Sequence, residues 1–186
     1  MKQKKNKQKR GLPKTQNETA ILQNGERALA SGNFNQAIDF FADISKESLN
    51  YGRACKGHGA ALLRLHRLKE ALPLLQTAHL ALPKDPNILV DGADVARLMG
   101  GLNVAEDTYK AARELGASGF QIEFGEASIA QERNKWLEAT GLWSELNQSY
   151  QKNPFVLHNL GRAWHELGET DRAMLLMSEA FKLGGE

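Results

Sequence analysis

The residues that could do chemistry in this chain are few and scattered. Five histidines fall at His58, His66, His79, His158 and His165, and a single cysteine at Cys55. His165-Glu166 opens like the helix of a zinc protease, where two histidines one turn apart hold the metal and the glutamate activates water. The place of the second histidine is taken by Glu169, and Gly168 interrupts the helix before it. His158 and His165 share one helix face, and they read as polar groups on a surface rather than as a metal pair. No Gly-x-x-x-x-Gly-Lys phosphate loop, Gly-x-Ser-x-Gly nucleophile turn or paired-cysteine zinc spacing occurs. A thiol becomes a nucleophile where its pKa is lowered; Cys55 reads instead as a small packing group. The expectation is a protein with no catalytic, cofactor-binding or metal-binding residues and no chemistry of its own.

The elements that must carry these residues follow from a period. Ala37, Ala71, Ala105, Ala139 and Ala173 are each 34 residues apart. Blocks starting at Glu18, Gly52, Pro86, Phe120 and Pro154 put all five alanines at position 20. Position 8 then reads Gly25, Gly59, Ala93, Ala127, Gly161, and position 24 reads Phe41, Leu75, Tyr109, Trp143, Met177. Position 11 reads Ala28, Leu62, Ala96, Ala130, Trp164, and position 27 reads Ile44, Ala78, Ala112, Leu146, Ala180. Position 17 reads Phe34, Leu68, Leu102, Trp136, Thr170. Apolar and small residues at steps of three and four predict amphipathic helices over positions 1–14 and 17–30 of each block. Position 15 holds Gly32, His66, Gly100, Asn134 and Gly168, where the chain can turn through a left-handed conformation. Small residues at 8 and 20 would let two helices approach closely, with large ones at 17 and 24 filling the seam. Cys55, Trp136, Trp143 and Trp164 fall on packing columns, so the tryptophans read as core rather than as stacking platforms for bases.

This layout resembles the tetratricopeptide repeat. Block five carries Leu157, Leu160, Gly161, Trp164, Gly168, Ala173 and Ala180 at the family's positions; block two carries Cys55, Gly59, Leu62, Ala71, Leu75, Ala78 and Pro83. Thr170 departs from the aromatic at 17, and Glu123 and Glu126 take normally apolar positions in block four. The resemblance implies an all-α, right-handed superhelical solenoid of antiparallel helix pairs. It implies five repeats over 17–186, at 18–51, 52–85, 86–119, 120–153 and 154–186; the residues before them, 1–16, read from their composition as a basic disordered tail.

The resemblance also implies where a partner would sit. In the family, positions 2, 5, 6, 9, 12 and 13 of the first helix line the concave surface. Here they supply Arg53, Lys56 and Arg64 in block two, and Asn87, Asp91, Asp94 and Arg97 in block three. They supply Gln121, Ser128, Gln131 and Glu132 in block four, and His158, Asn159, Arg162 and His165 in block five. That lining is polar and of mixed sign, basic at blocks two and five, and complementary to an extended peptide with separated acidic groups. The Lys/Asn/Lys/Arg clamp with which some relatives grip a chaperone carboxylate is not reproduced: Leu22, Glu26, Gly57, Asn87 and Asp91 occupy its places.

Charge divides the chain. Residues 1–14 hold Lys2, Lys4, Lys5, Lys7, Lys9, Arg10 and Lys14 and no acid; without those seven, 17 basic residues face 22 acidic ones. Such a segment could attach electrostatically to nucleic acid or an anionic surface, or could simply solubilise the chain. There is no apolar run long enough for a membrane span and no apolar stretch after the basic start, so a cytoplasmic location is expected. The final helix, with Met174, Leu175, Met177 and Phe181, is expected to offer an apolar face to a partner, to self-association or to a further domain. Pro73 falls inside a helix and predicts a local bend. The expected function is a protein–protein interaction scaffold binding a peptide or protein segment in the groove. The alternatives are the N-terminal recognition module of a sulfotransferase- or glycosyltransferase-type enzyme, and a nucleic-acid or ribosome adaptor held by the tail.

Overall fold

The structure, a computed structural model, describes residues 14–184. The basic residues Lys2, Lys4, Lys5, Lys7, Lys9 and Arg10, and the side chain of Lys14, lie outside the described residues. The chain divides into two compact units, Met1–Pro83 and Lys84–Glu186. The described residues are α-helical, in helix–turn–helix pairs.

The first unit holds α1 (Lys14–Ala30), α2 (Phe34–Ala42), α3 (Tyr51–Arg64) and α4 (Leu68–Ala81). Its second pair matches the expected spans; its first does not. Helix α1 starts at Lys14, inside the segment expected to be an unstructured tail. Helix α2 stops at Ala42 rather than near residue 47. The reason is local: the Ser45 hydroxyl accepts from the Glu47 N–H and the Ser48 hydroxyl from the Asn50 N–H, so side chains take over the backbone donors in a run of turns. Helix α4 runs through Pro73 without interruption. Pro73 sits on the exposed side of that helix, where water can satisfy the Lys69 carbonyl left without a proline N–H.

The second unit holds α5 (Pro86–Leu98), α6 (Leu102–Glu114), α7 (Phe120–Glu132), α8 (Trp136–Ser149), α9 (Pro154–Glu166) and α10 (Thr170–Gly184). Helices α5 and α9 begin alike. Asp85 and Asn153 accept hydrogen bonds from the second residue of the helix, and Pro86 and Pro154 take the first position, where no N–H is needed. Block four, despite Glu123 and Glu126, forms a regular pair. Glu126 is matched by Arg113 from the preceding helix through two bonds of 2.9 and 2.7 Å.

The turn column behaves as its residue types dictate. Position 15 has positive φ in all five blocks: Gly32 at 78°, His66 at 56°, Gly100 at 84°, Asn134 at 57° and Gly168 at 84°. In each block the next residue's N–H returns to the carbonyl at position 11, as in Arg67 to Leu62 at 2.9 Å and Glu169 to Trp164 at 3.0 Å. This closes the first helix and aims the chain straight into the second.

The cores follow the columns. Ala37, Ala71, Ala105, Ala139 and Ala173 are all buried, as are Phe41, Leu75, Tyr109 and Trp143. Position 8 must be small because position 24 lies on it: a Cβ at Gly25 would come within 2.7 Å of the Phe41 ring, and one at Gly59 within 2.8 Å of Leu75. A glycine at position 6 of blocks two and four seats each of those blocks on the one before it. A Cβ at Gly57 would fall on the ring of Phe41, and one at Gly125 on the hydroxyl and ring of Tyr109. Trp143 is fully buried, whereas Trp136 and Trp164 are half-buried and flank that core.

Candidate binding surface

In the second unit the predicted groove positions of α5, α7 and α9 do come together, but mainly with one another. The Gln121 amide donates to Asp91 Oδ1 at 2.9 Å and to Asp94 Oδ2 at 2.8 Å, bridging α7 to α5. The Tyr109 hydroxyl donates to Asp94 Oδ1 at 2.5 Å. Arg97 pairs with Glu132 at 2.6 Å and lies 3.9 Å from Asp94. The Gln131 amide nitrogen donates to Asn159 Oδ1 at 3.0 Å, and its oxygen accepts from the Trp143 indole at 3.2 Å. Asp91, Asp94, Ser128 and Gln131 are buried, against the expectation of an open polar lining. Gln121 to Asp91 and Asp94, Arg97 to Glu132 and Gln131 to Asn159 each cross from one repeat to the next, while Tyr109 and Trp143 tie Asp94 and Gln131 to the second helix of their own repeat, so the network is a seam that joins repeats.

The electrostatics agree with that structural role. Burial pushes the Tyr109 phenol far above its ordinary pKa, and the Asp94 carboxylate adds to it, so the hydroxyl remains a donor. Burial works against the Arg97 guanidinium, yet its bond to Glu132 and the nearby Tyr109 and Asp94 outweigh it and raise its pKa. The Arg97 side chain is only 12% exposed, so a ligand could reach it only by displacing Glu132.

Three predicted residues stand apart from this seam. His158, Arg162 and His165 are exposed along α9, at steps of four and three that keep them on one face. Arg162 makes no ion pair among the described residues. In the first unit the predicted residues are engaged: Arg53 pairs with Glu26 at 2.7 Å, and Lys56 and Arg64 have partners of their own. Cys55 is buried, and burial raises its pKa, the opposite of what a nucleophile needs. No group of His, Cys, Asp or Glu among the described residues is arranged to hold a metal ion. No described helix is long and apolar enough to cross a membrane.

A cleft of about 380 Å³ that the repeat columns do not indicate lies in the second unit between α6, α7 and α8. Ile129, Ala130 and Leu142 contribute its apolar wall. Its charges are mostly matched in pairs: Arg113 with Glu126, Arg133 with Glu106 at 2.6 Å, and Lys135 with Glu138 at 3.0 Å. Spacing within one helix could not show it, because Arg113 with Glu126 and Arg133 with Glu106 pair across different blocks.

Helix pairs recurring every 34 residues, a left-handed residue at every position 15 and a buried alanine at every position 20 decide the fold. The chain has the tetratricopeptide-repeat fold. No family model matches its sequence, and no curated protein matches it. Solved tetratricopeptide-like structures do match in shape. A crystal structure of MamA superposes with a TM-score of 0.66 at 13% identity, over 89% of this chain and 91% of that one. A MamA segment from Desulfovibrio magneticus RS-1 gives 0.60 at 15% identity, over 71% and 75%. A chain of the APC/C hetero-tetramer Cut9–Hcn1 gives 0.76 at 16% identity; the match spans 89% of this chain and a third, 33%, of that longer one. At these identities the likeness is one of fold.

Proposed function

We propose that the chain is a non-enzymatic protein-interaction scaffold, and that an acidic peptide segment docks along the His158–Arg162–His165 face of α9. The scaffold role is supported by the fold shared with a chain of the Cut9–Hcn1 hetero-tetramer, an assembly of several chains. The peptide site rests on one observation. Arg162 is an exposed guanidinium without a carboxylate partner among the described residues, whereas Arg53, Arg97, Arg113 and Arg133 each already hold one. A guanidinium that is not committed internally can form a bidentate pair with an incoming carboxylate at no cost in broken protein contacts. His158 and His165 supply donors one turn to either side. Glu126 and Glu132, by contrast, are neutralised within the fold, so they do not repel such a ligand.

The test is selection of random peptides against the full chain, followed by fluorescence anisotropy of the selected sequences. Peptides rich in Asp or Glu are expected, losing about tenfold or more in affinity against Arg162→Glu. Removing residues 1–13 should leave that binding in place, which separates the α9 face from attachment through the basic segment. Selected peptides without acidic bias, or equal binding to Arg162→Glu, would remove this site from consideration.

A further inference from the structure

Helix α10 carries a second surface, unrelated to α9's cationic face and independent of the reading above. Its inner side is buried through Ala173 and Ala180. Its outer side carries large apolar side chains among polar ones, where an exposed helix face is ordinarily polar: Met174 is 66% exposed, Leu175 73% and Phe181 77%. Met174 and Leu175, with Asp171 and Ser178, line a shallow depression. These residues recur at steps of three and four, so they form one stripe along the helix rather than scattered apolar side chains.

The stripe is complementary to itself. Two copies of α10 placed antiparallel about a two-fold axis at Ser178 bring the small serines together at the closest approach. Leu175 of each copy then meets Phe181 of the other. Asp171 and Lys182 lie near opposite ends of the stripe and carry opposite charges. In that pairing, the Lys182 of each copy falls within one turn of the other's Asp171, so the arrangement forms two equivalent ion pairs. A parallel arrangement would instead set Asp171 against Asp171 and Lys182 against Lys182. Isologous contacts require this property, in which one patch serves both partners. Burying these side chains in both copies removes at most about 800 Å² from water, less than the roughly 1,200 Å² of a standard interface, which implies weak, reversible, concentration-dependent pairing.

We propose that α10 is a homodimerisation helix, joining two copies of this chain antiparallel through Leu175, Ser178 and Phe181. The experiment is sedimentation velocity of the full chain over a wide concentration range, with four variants checked for helicity by circular dichroism. Wild type should pass from monomer to dimer as concentration rises, and Leu175→Glu should remain monomeric throughout. Asp171→Lys and Lys182→Asp should each weaken the dimer by about tenfold, and the two together should restore it to near the wild-type constant. Three results overturn the proposal: a wild type that stays monomeric at every concentration, a dimer indifferent to Leu175→Glu, and a charge swap that fails to restore what the single changes lost. None of them bears on peptide binding by α9, which is read in a different assay.

Discussion

The contact between Tyr109 and Gly125 offers the sharpest test of how one repeat is seated on the next. Gly125 lies inside α7, where alanine would ordinarily improve the helix by about 1 kcal/mol. The structure opposes that gain, because a Cβ at Gly125 would land on the Tyr109 hydroxyl and ring, with Cε2 at 2.9 Å. Tyr109 has nowhere to go: it is 1% exposed and its hydroxyl is bound to Asp94. Overpacking of this kind costs about 2–3 kcal/mol, so Gly125→Ala should be destabilising by about 1–2 kcal/mol net. Gly92 and Gly141 are internal controls, since both are helical and a Cβ at either meets nothing within 4 Å. Gly92→Ala and Gly141→Ala should stabilise, by up to about 1 kcal/mol. Tyr109→Leu, which shortens the side chain, should cancel the clash; in that background Gly125→Ala should no longer destabilise, a coupling of about 2 kcal/mol. Urea unfolding followed by tryptophan fluorescence reads the right unit, because Trp136, Trp143 and Trp164 all lie in Lys84–Glu186. A Gly125→Ala protein as stable as the two controls, or costs that simply add with Tyr109→Leu, would refute the reasoning.

Two further predictions concern the turns and pH. Since position 15 is left-handed throughout, Gly100→Ala and Gly168→Ala should each cost about 1 kcal/mol, while His66→Gly should be neutral or stabilising; thermal melts decide, and equal losses for all three would contradict the turn argument. His58 is held below its ordinary pKa by burial first and by the Arg67 charge second. The folded protein therefore binds that proton less readily than the unfolded chain. The stability tied to neutral His58 is intact above about pH 6.5 and is lost progressively as pH falls below it. His58→Gln should flatten the acid side of the stability–pH curve, and an unchanged slope would show that the histidine does not report burial.

The sequence by itself determined the repeat, its register and its turns, because these depend on short-range physics. Helical period, a left-handed residue every 34 positions and small residues at 8 and 20 are properties of neighbours along the chain. They placed helices α3 to α10 within a residue or two. They failed at α2, where the hydroxyls of Ser45 and Ser48 compete for the backbone in a block that otherwise fits the pattern. Which polar residues remain available to a partner was decided only by tertiary structure. Asp94, Arg97 and Gln131 occupy the same kind of position as Arg162, and their spacing on a helix distinguishes none of them. What separates them is the side chain arriving from another helix: Tyr109 and Gln121 at Asp94, Glu132 at Arg97, Asn159 and Trp143 at Gln131, and no acid at Arg162 among the described residues. A residue's own position sets where its side chain points, but its charge becomes available or spent according to what the next repeat places opposite it.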